Sequence, residues 1–324
     1  MSIIVRTLAV LFAGLVLVSS IGTAQEAYPA KPIRLIVPFP PGAGTDNVAR
    51  LVGQKMAERL RTPVVIENRT GAGGAIGAIE AAKSEPDGYT LLFVAGPFTT
   101  VAASQKNPGY DPQRQFVPVA TIAVGPLAFV VNANVPADTL REFIALARRE
   151  PGKLNYGSAG TGSINHLALE LMRARTGADI LHVPYRGIAE ATKDLLGGRI
   201  QAMTASIPAT LPLVAERRVK VLAVTGAKRA RQLPDVPSWQ EEGVSDADVT
   251  NYWGIVAPIG TSAEVVARVN GAVNAVLEEP DVRERLEREG AEVVSGTPEQ
   301  LGFIIGHDLA RWKKLVADIG MALR

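Results

Sequence analysis

The chain reads as an α/β protein with two structural units. Strand-like and helix-like segments alternate along nearly its whole length. Its 324 residues, 47% of them hydrophobic, are enough for two cores of ordinary size. Neither a Ser/Gly-rich linker nor an internal repeat divides it, so a discontinuous first domain fits better than two domains in series. A net charge of +2 without a basic stripe argues against nucleic acid as a partner.

Residues 33–37 read as a buried strand, 38–44 as a Pro/Gly-rich loop, and Thr45 or Asp46 as the opening of a helix. Over 46–60, Val48, Leu51, Val52, Met56 and Leu60 share one helical face, and Pro63 ends it. A strand at 64–67, a Gly-rich loop from Gly71 to Gly77 that opens a helix, and a strand at 89–94 after Asp87-Gly88 follow. Further on come a strand at 127–131, a helix at 140–149 stopped by Pro151-Gly152, and a strand at 154–156. The loop 157–163 then opens a helix over 164–176, followed by a strand at 180–183 and a helix at 190–196 that Gly197-Gly198 stops. Strands at 200–204, 219–224 and 253–256 precede helices at 263–279, 282–289 and 298–319.

The N-terminus carries Arg6, an apolar run of 11 residues at 8–18, and small polar residues at 19–24. That run is shorter than the ~20 residues needed to span a bilayer and suits a signal peptide, 1–24, cleaved after Ala24. The absence of cysteine removes disulfides, thiolate metal sites, a cysteine nucleophile and a lipid-attachment cysteine.

Two loops carry the chemistry. In the first, Gly42 and Gly44 permit close approach of a ligand to the backbone, and the following helix start offers amides without intrahelical partners at a positive dipole end. Asp46 is placed to cap this helix or to accept a hydrogen bond from a ligand; a plain strand-to-helix turn is the alternative. Gly42-Ala43-Gly44 lacks the third glycine of a dinucleotide fingerprint, since position 47 is Asn, and no P-loop lysine follows. The second loop repeats the pattern and adds the hydroxyls of Ser158, Thr161 and Ser163, of which Ser163 can also cap the next helix. Neither serine sits in G-x-S-x-G. The three histidines, His166, His182 and His307, show no i, i+4 pair, so no metal site is expected, and no cofactor is expected either. His166 is within reach of a bound carboxylate, His182 reads as structural, and Arg186 is the best charge partner for an acid, against the ordinary alternative of a solvated arginine. The loop with Asn68, Arg69 and Gly71 to Gly77 reads as scaffold.

PFPPGAGTD, ENRTGAGGAIGA, DGYTLLF, LNYGSAGTGS, HVPYRG and LPDVP, in this order from about Tyr28 onward, resemble the periplasmic solute receptors of tripartite tricarboxylate transporters, the Bug family. The resemblance implies a two-lobed periplasmic-binding-protein (Venus flytrap) fold, each lobe a mixed sheet flanked by helices. Lobe 1 would comprise 25–125 plus 252–324 and lobe 2 would comprise 126–251. It implies a receptor, not an enzyme, that captures a small organic carboxylate (a di- or tricarboxylate or an aromatic acid) and delivers it to a tripartite tricarboxylate-type permease. Phe39, Pro40, Gly42, Ala43, Gly44, Thr45 and Asp46 would hold one carboxylate, partly through water. Ser158, Ala159, Gly160, Thr161 and Ser163 would form the second wall, with His166 and Arg186 beside it. Gly96, Pro97 and Phe98 would border the pocket, with Phe98 either touching the ligand body or buried, although this segment departs from the family's Thr-His and Asn-Pro pattern. Ala205 and Ser206 stand where some relatives carry Asp-Asn, which favours a plain organic acid over an amino acid. The expected protein is a monomer, free in the periplasm or secreted. A ligand sensor for a signalling partner is one alternative. A hydrolase using Ser158 or Asp46 is another, against which the few histidines count.

Overall fold

Parallel strands with a helix returning between them form the first half of the molecule, as seen in a computed structural model that describes residues 28–42 and 44–321. The signal peptide expected at 1–24 and the site residue Ala43 lie outside the described residues. β1 (Ile33–Val37) pairs in parallel with β2 (Val64–Asn68) and β3 (Thr90–Ala95). α1 (Gly44–Leu60) connects β1 to β2 and buries Val48, Leu51, Val52, Met56 and Leu60, the face its periodicity marks. α2 (Ala75–Ala82) precedes β3 and α3 (Pro97–Ser104) follows it.

β4 (Phe116–Asn132) is the axis of the fold. Its first part, through Pro126, runs antiparallel to β9 (Thr250–Pro258), which in turn pairs with β3. Its last part, from Leu127, runs antiparallel to β7 (Ala202–Ser206) and β8 (Val219–Val224). The second sheet is completed by β5 (Leu154–Ser158), parallel to both β7 and β6 (Ile180–Pro184). Two mixed sheets therefore share one strand, in the orders β2-β1-β3-β9-β4 and β4-β7-β5-β6. Along the shared strand Phe129 and Val131 enter one apolar cluster while Ala128 and Val130 enter another, the two-residue period of a strand buried on both faces.

α4 (Leu140–Arg149), α5 (Ile164–Thr176) and α6 (Ile188–Leu196) accompany the second sheet, and α7 (Ile207–Ala215) follows β7. The chain returns through β9 to α8 (Ala263–Leu277), α9 (Pro280–Arg288), the two-residue β10 (Glu292–Val293) and α10 (Pro298–Asp318). The outgoing and returning segments are stitched by Thr225. Its hydroxyl accepts from Leu127 N at 2.9 Å and donates to the carbonyl of Val249. Its backbone N–H donates to Leu127 O, and its carbonyl accepts from Val249 N.

Three elements differ from the sequence reading. β4 begins 11 residues before the expected 127, because two register shifts against β9, at Pro118–Ala120 and Thr121–Ala123, absorb the irregular pattern around Pro118. α3 has no counterpart in the sequence reading, which assigned no element to this segment. Pro97 opens it at N1/N2, and its Thr-rich sequence is held helical by complete burial from Phe98 to Ser104. α7 carries Pro208 near its start and Pro212 inside, which hid it from pattern reading.

Candidate functional site

A cleft of about 450 Å³ lies where the carboxyl ends of five parallel strands meet. Pro38, Phe39 and Pro40 follow β1, Thr70 to Gly74 follow β2, and Pro97 follows β3. From the second sheet, Ala159 and Thr161 to Asn165 follow β5 and Arg186 follows β6. This is the general location of ligands in open α/β sheets, and the volume is that of a small-molecule site. The N-termini of α2 at Gly74, α3 at Pro97 and α5 at Ser163 all reach the wall. Each brings first-turn amides without intrahelical partners and the positive end of a dipole. Among the described lining residues Arg186 is the one charged side chain. Hydroxyls of Thr70, Thr161 and Ser163 and the amides of Gln105 and Asn165 complete the polar inventory. Pro38, Phe39, Pro40, Val101 and Ile164 supply the apolar surface.

The first loop is held from behind. The Asp46 carboxylate is fully buried and accepts from Gly42 N at 2.8 Å, Asn68 Nδ2 at 2.7 Å and Arg50 Nε at 2.8 Å. The same Asn68 amide donates to Phe39 O at 3.0 Å, and its oxygen accepts from Arg50. Burial alone would raise the Asp46 pKa. The hydrogen bonds from Arg50, Asn68 and Gly42 outweigh it and hold the carboxyl below its ordinary range. Gly77 on α2 lets Pro38 approach: an added Cβ would stand 2.9 Å from both Pro38 Cβ and Arg69 O.

The second loop is held the same way, by imidazoles. Ser158 Oγ lies 2.6 Å from His182 Nε2 and accepts from Gly160 N at 3.1 Å. His166 Nδ1 accepts from Gly162 N at 3.1 Å. Ser163 caps α5 by accepting from His166 N and donates its hydroxyl to Gly160 O. Burial pushes both imidazole pKa values down, that of His182 to about 3, with the neighbouring His166 adding to the effect there.

Of the expected site residues, the structure brings Phe39, Pro40, Pro97, Ala159, Thr161, Ser163 and Arg186 to the cleft. The others stand elsewhere. Asp46, Ser158 and His166 are buried behind the loops, their polar atoms engaged in the loop-holding bonds above. Phe98 packs on Tyr110 and Phe116, centroids 5.4 and 5.3 Å away, because α3 turns it into the core. Gly96 is buried, its N–H donating to Asn251 Oδ1, and Ala205 faces the second sheet's core. Gly160 shapes the second loop with φ +109°. Gly42, Gly44 and Thr45 lie outside the cleft wall, Thr45 accepting from Trp253 Nε1, and Ser206 is exposed at the N-cap of α7. The sequence reading missed Thr70 to Gly74, which it took as scaffold, although this loop shows the same strand, Gly-rich loop and helix succession as the two it selected. It also missed Gln105 and Asn165, whose signal is tertiary: Asn165 Nδ2 donates to Thr204 O at 2.8 Å.

Two mixed sheets that share a strand, with a donor-rich cleft at their strand ends, define a two-lobed solute-binding protein. The chain belongs to the tripartite tricarboxylate transporter receptor family, whose model matches residues 48–321. The periplasmic binding protein BugD is 33% identical with a TM-score of 0.79, over 92% of this chain and 100% of that one. Rpa4515 of R. palustris, solved with adipate, is 34% identical with a TM-score of 0.82, over 92% and 100%. MatC (Rpa3494) from Rhodopseudomonas palustris, solved with bound malate, is 32% identical with a TM-score of 0.78, over 89% and 100%. The family consists of substrate-binding receptors. Among the described residues no helix is long and apolar enough to cross a membrane, and no cluster of three His, Asp or Glu is arranged to hold a metal.

Proposed function

We propose that the protein captures a small organic carboxylate in the cleft and delivers it to a membrane permease of the tripartite tricarboxylate type. The observation that carries this is the convergence of three helix N-termini and Arg186 on a wall without a carboxylate. Such a wall favours an anion and penalises a cation. The adipate and malate of the two relatives point to the dicarboxylate class. A micromolar affinity needs about −8 kcal/mol, and charge-assisted hydrogen bonds at roughly 1.5–3 kcal/mol each supply much of it before ordering costs.

In this reading 25–125 with 252–324 form one lobe and 126–251 the other, and they close over the ligand as a monomer. Residues 1–24 direct export and are removed, leaving the receptor in the periplasm. Catalysis is not part of the reading. The Ser158–His182 contact resembles a nucleophile and its base, but Ser158 is fully buried and its Oγ is shared with the Gly160 backbone, which supports a structural role.

The test is a thermal-shift and calorimetric screen of the purified protein with adipate, malate, citrate, benzoate, amino acids, sugars and nucleotides. At a hundredfold excess over Kd a true ligand stabilises by about 2.7 kcal/mol, so one acid class should raise the midpoint. A shift from a sugar or nucleotide, with silence from every acid, would overturn the proposal.

A further inference from the structure

Behind the second loop lies a buried polar stack whose state is coupled to the cleft wall. Gly162 lines the cleft, and its N–H ends on His166 Nδ1. That bond requires Nδ1 to be unprotonated, so the imidazole is neutral with its proton on Nε2. Nε2 faces Glu170 Oε1 at 3.9 Å. The His166 ring lies on the His182 ring with centroids 3.9 Å apart, and His182 lies in turn on Tyr156 at 4.9 Å. His166 is only 5% exposed. The groups facing it are Glu170 and Arg173 from α5, Tyr156 from β5, and His182 from β6. Glu170 is occupied by Tyr156 Oη at 2.5 Å and by Arg173 at 2.7 Å.

A second proton on His166 would place an N–H against the N–H of Gly162 and a cation against a stacked imidazole. Gly162 has φ +82°, and a Cβ there would collide with Ser104 on α3. Relieving that donor-against-donor contact requires the Gly162 amide to leave Nδ1.

We infer that His166 is a positioning residue for ligand capture: its neutral ring holds the Gly162 amide in binding geometry, and charging the ring releases the 160–163 rim and weakens binding. This rests on the cleft being the carboxylate site. Burial, which lowers the His166 pKa, keeps the holding state dominant at neutral pH, with Glu170 opposing the shift and Arg173 adding to it. His182 titrates at about 3, well below the range in which the effect is read.

Linkage makes the inference reciprocal: a ligand that prefers the neutral ring must lower the ring's pKa by the same factor. The three histidines of the chain, His166, His182 and His307, make the imidazole signals countable by NMR. With saturating adipate or malate, the His166 pKa should fall by about one unit, which corresponds to a tenfold affinity difference between its two states. Calorimetry between about pH 7.5 and pH 4.5 should show wild-type affinity falling more steeply than that of His166→Asn. Asparagine retains an acceptor for Gly162 without a titrating group, and the shared slope of the two proteins absorbs protonation of the acid itself. His166→Leu should bind about tenfold more weakly at neutral pH, the loss of one buried hydrogen bond; if it does not fold, the asparagine variant and the titration decide. An unmoved His166 pKa with normal acid binding, or parallel wild-type and His166→Asn profiles, would overturn this inference and leave the receptor reading intact. Failure of the wild type to bind any acid at neutral pH would overturn both.

Discussion

Replacing Asp46 should disturb the cleft, although its carboxylate is buried and not part of the cleft wall. Three donors end on this buried group: Gly42 N, Asn68 Nδ2 and Arg50 Nε. Hydrogen bonds to a charged acceptor contribute about 1.5–3 kcal/mol each. They share one network, and the Arg50 side chain is 48% exposed, so water replaces its part at little cost. Asp46→Ala should therefore lose about 2–4 kcal/mol in urea unfolding, chiefly from the stranded Gly42 and Asn68 amides. Asp46→Asn should rescue little, because its new NH₂ group must face either the Gly42 N–H and Arg50 or the Asn68 amide, donor against donor. Both variants should bind adipate about tenfold more weakly, since the Phe39–Gly42 backbone loses its anchors. The pH dependence has a definite sign. The folded pKa lies below the ordinary 3.8, so the contribution is complete above the unfolded pKa and is lost as pH falls through the folded one. The wild-type advantage should stay constant at neutral pH and shrink only below about pH 4. Wild-type stability and affinity in Asp46→Asn would refute the reasoning.

Arg186→Gln should weaken malate or adipate binding about tenfold or more without lowering the unfolding midpoint, because the side chain is exposed and supplies a charge-assisted bond; unchanged calorimetric affinity would remove it from the site. Gly162→Ala should impair binding and stability together, since φ +82° and contact with Ser104 leave no space for a methyl group; denaturation and calorimetry on one preparation test this. Tyr156→Phe deletes the buried bond to Glu170 and should cost about 1–2 kcal/mol in urea unfolding. Phe129→Ala, which removes a buried ring of the shared strand's second-sheet part packed on Phe143 at 5.1 Å, should cost about 3–5 kcal/mol, a loss large enough to appear in any thermal scan.

What the sequence determined by itself is the set of elements whose signals are local. Helix 164–176 and helix 140–149 were legible to the residue, because Ser163 and Thr139 cap them and Gly177 and Pro151-Gly152 stop them. The α/β alternation, the two loops at strand ends and the family motifs are likewise written in consecutive residues. Tertiary structure alone decided where the side chains of those loops point. Asp46, Ser158 and His166 look like ligand contacts in a linear reading because they are polar and lie in, or at the helix start just after, the two glycine-bearing loops. In the fold they accept hydrogen bonds from the loop backbone, at Gly42, Gly160 and the buried Gly162, whose amide has no access to water. The reverse holds for Thr70 to Gly74, local in pattern yet assigned to the cleft by the parallel pairing of β2 with β1. Helix α3 is the clearest tertiary decision: its Thr-rich sequence has weak helical preference, and its burial, with Val101 and the C-cap Gln105 lining the cleft, makes it a wall.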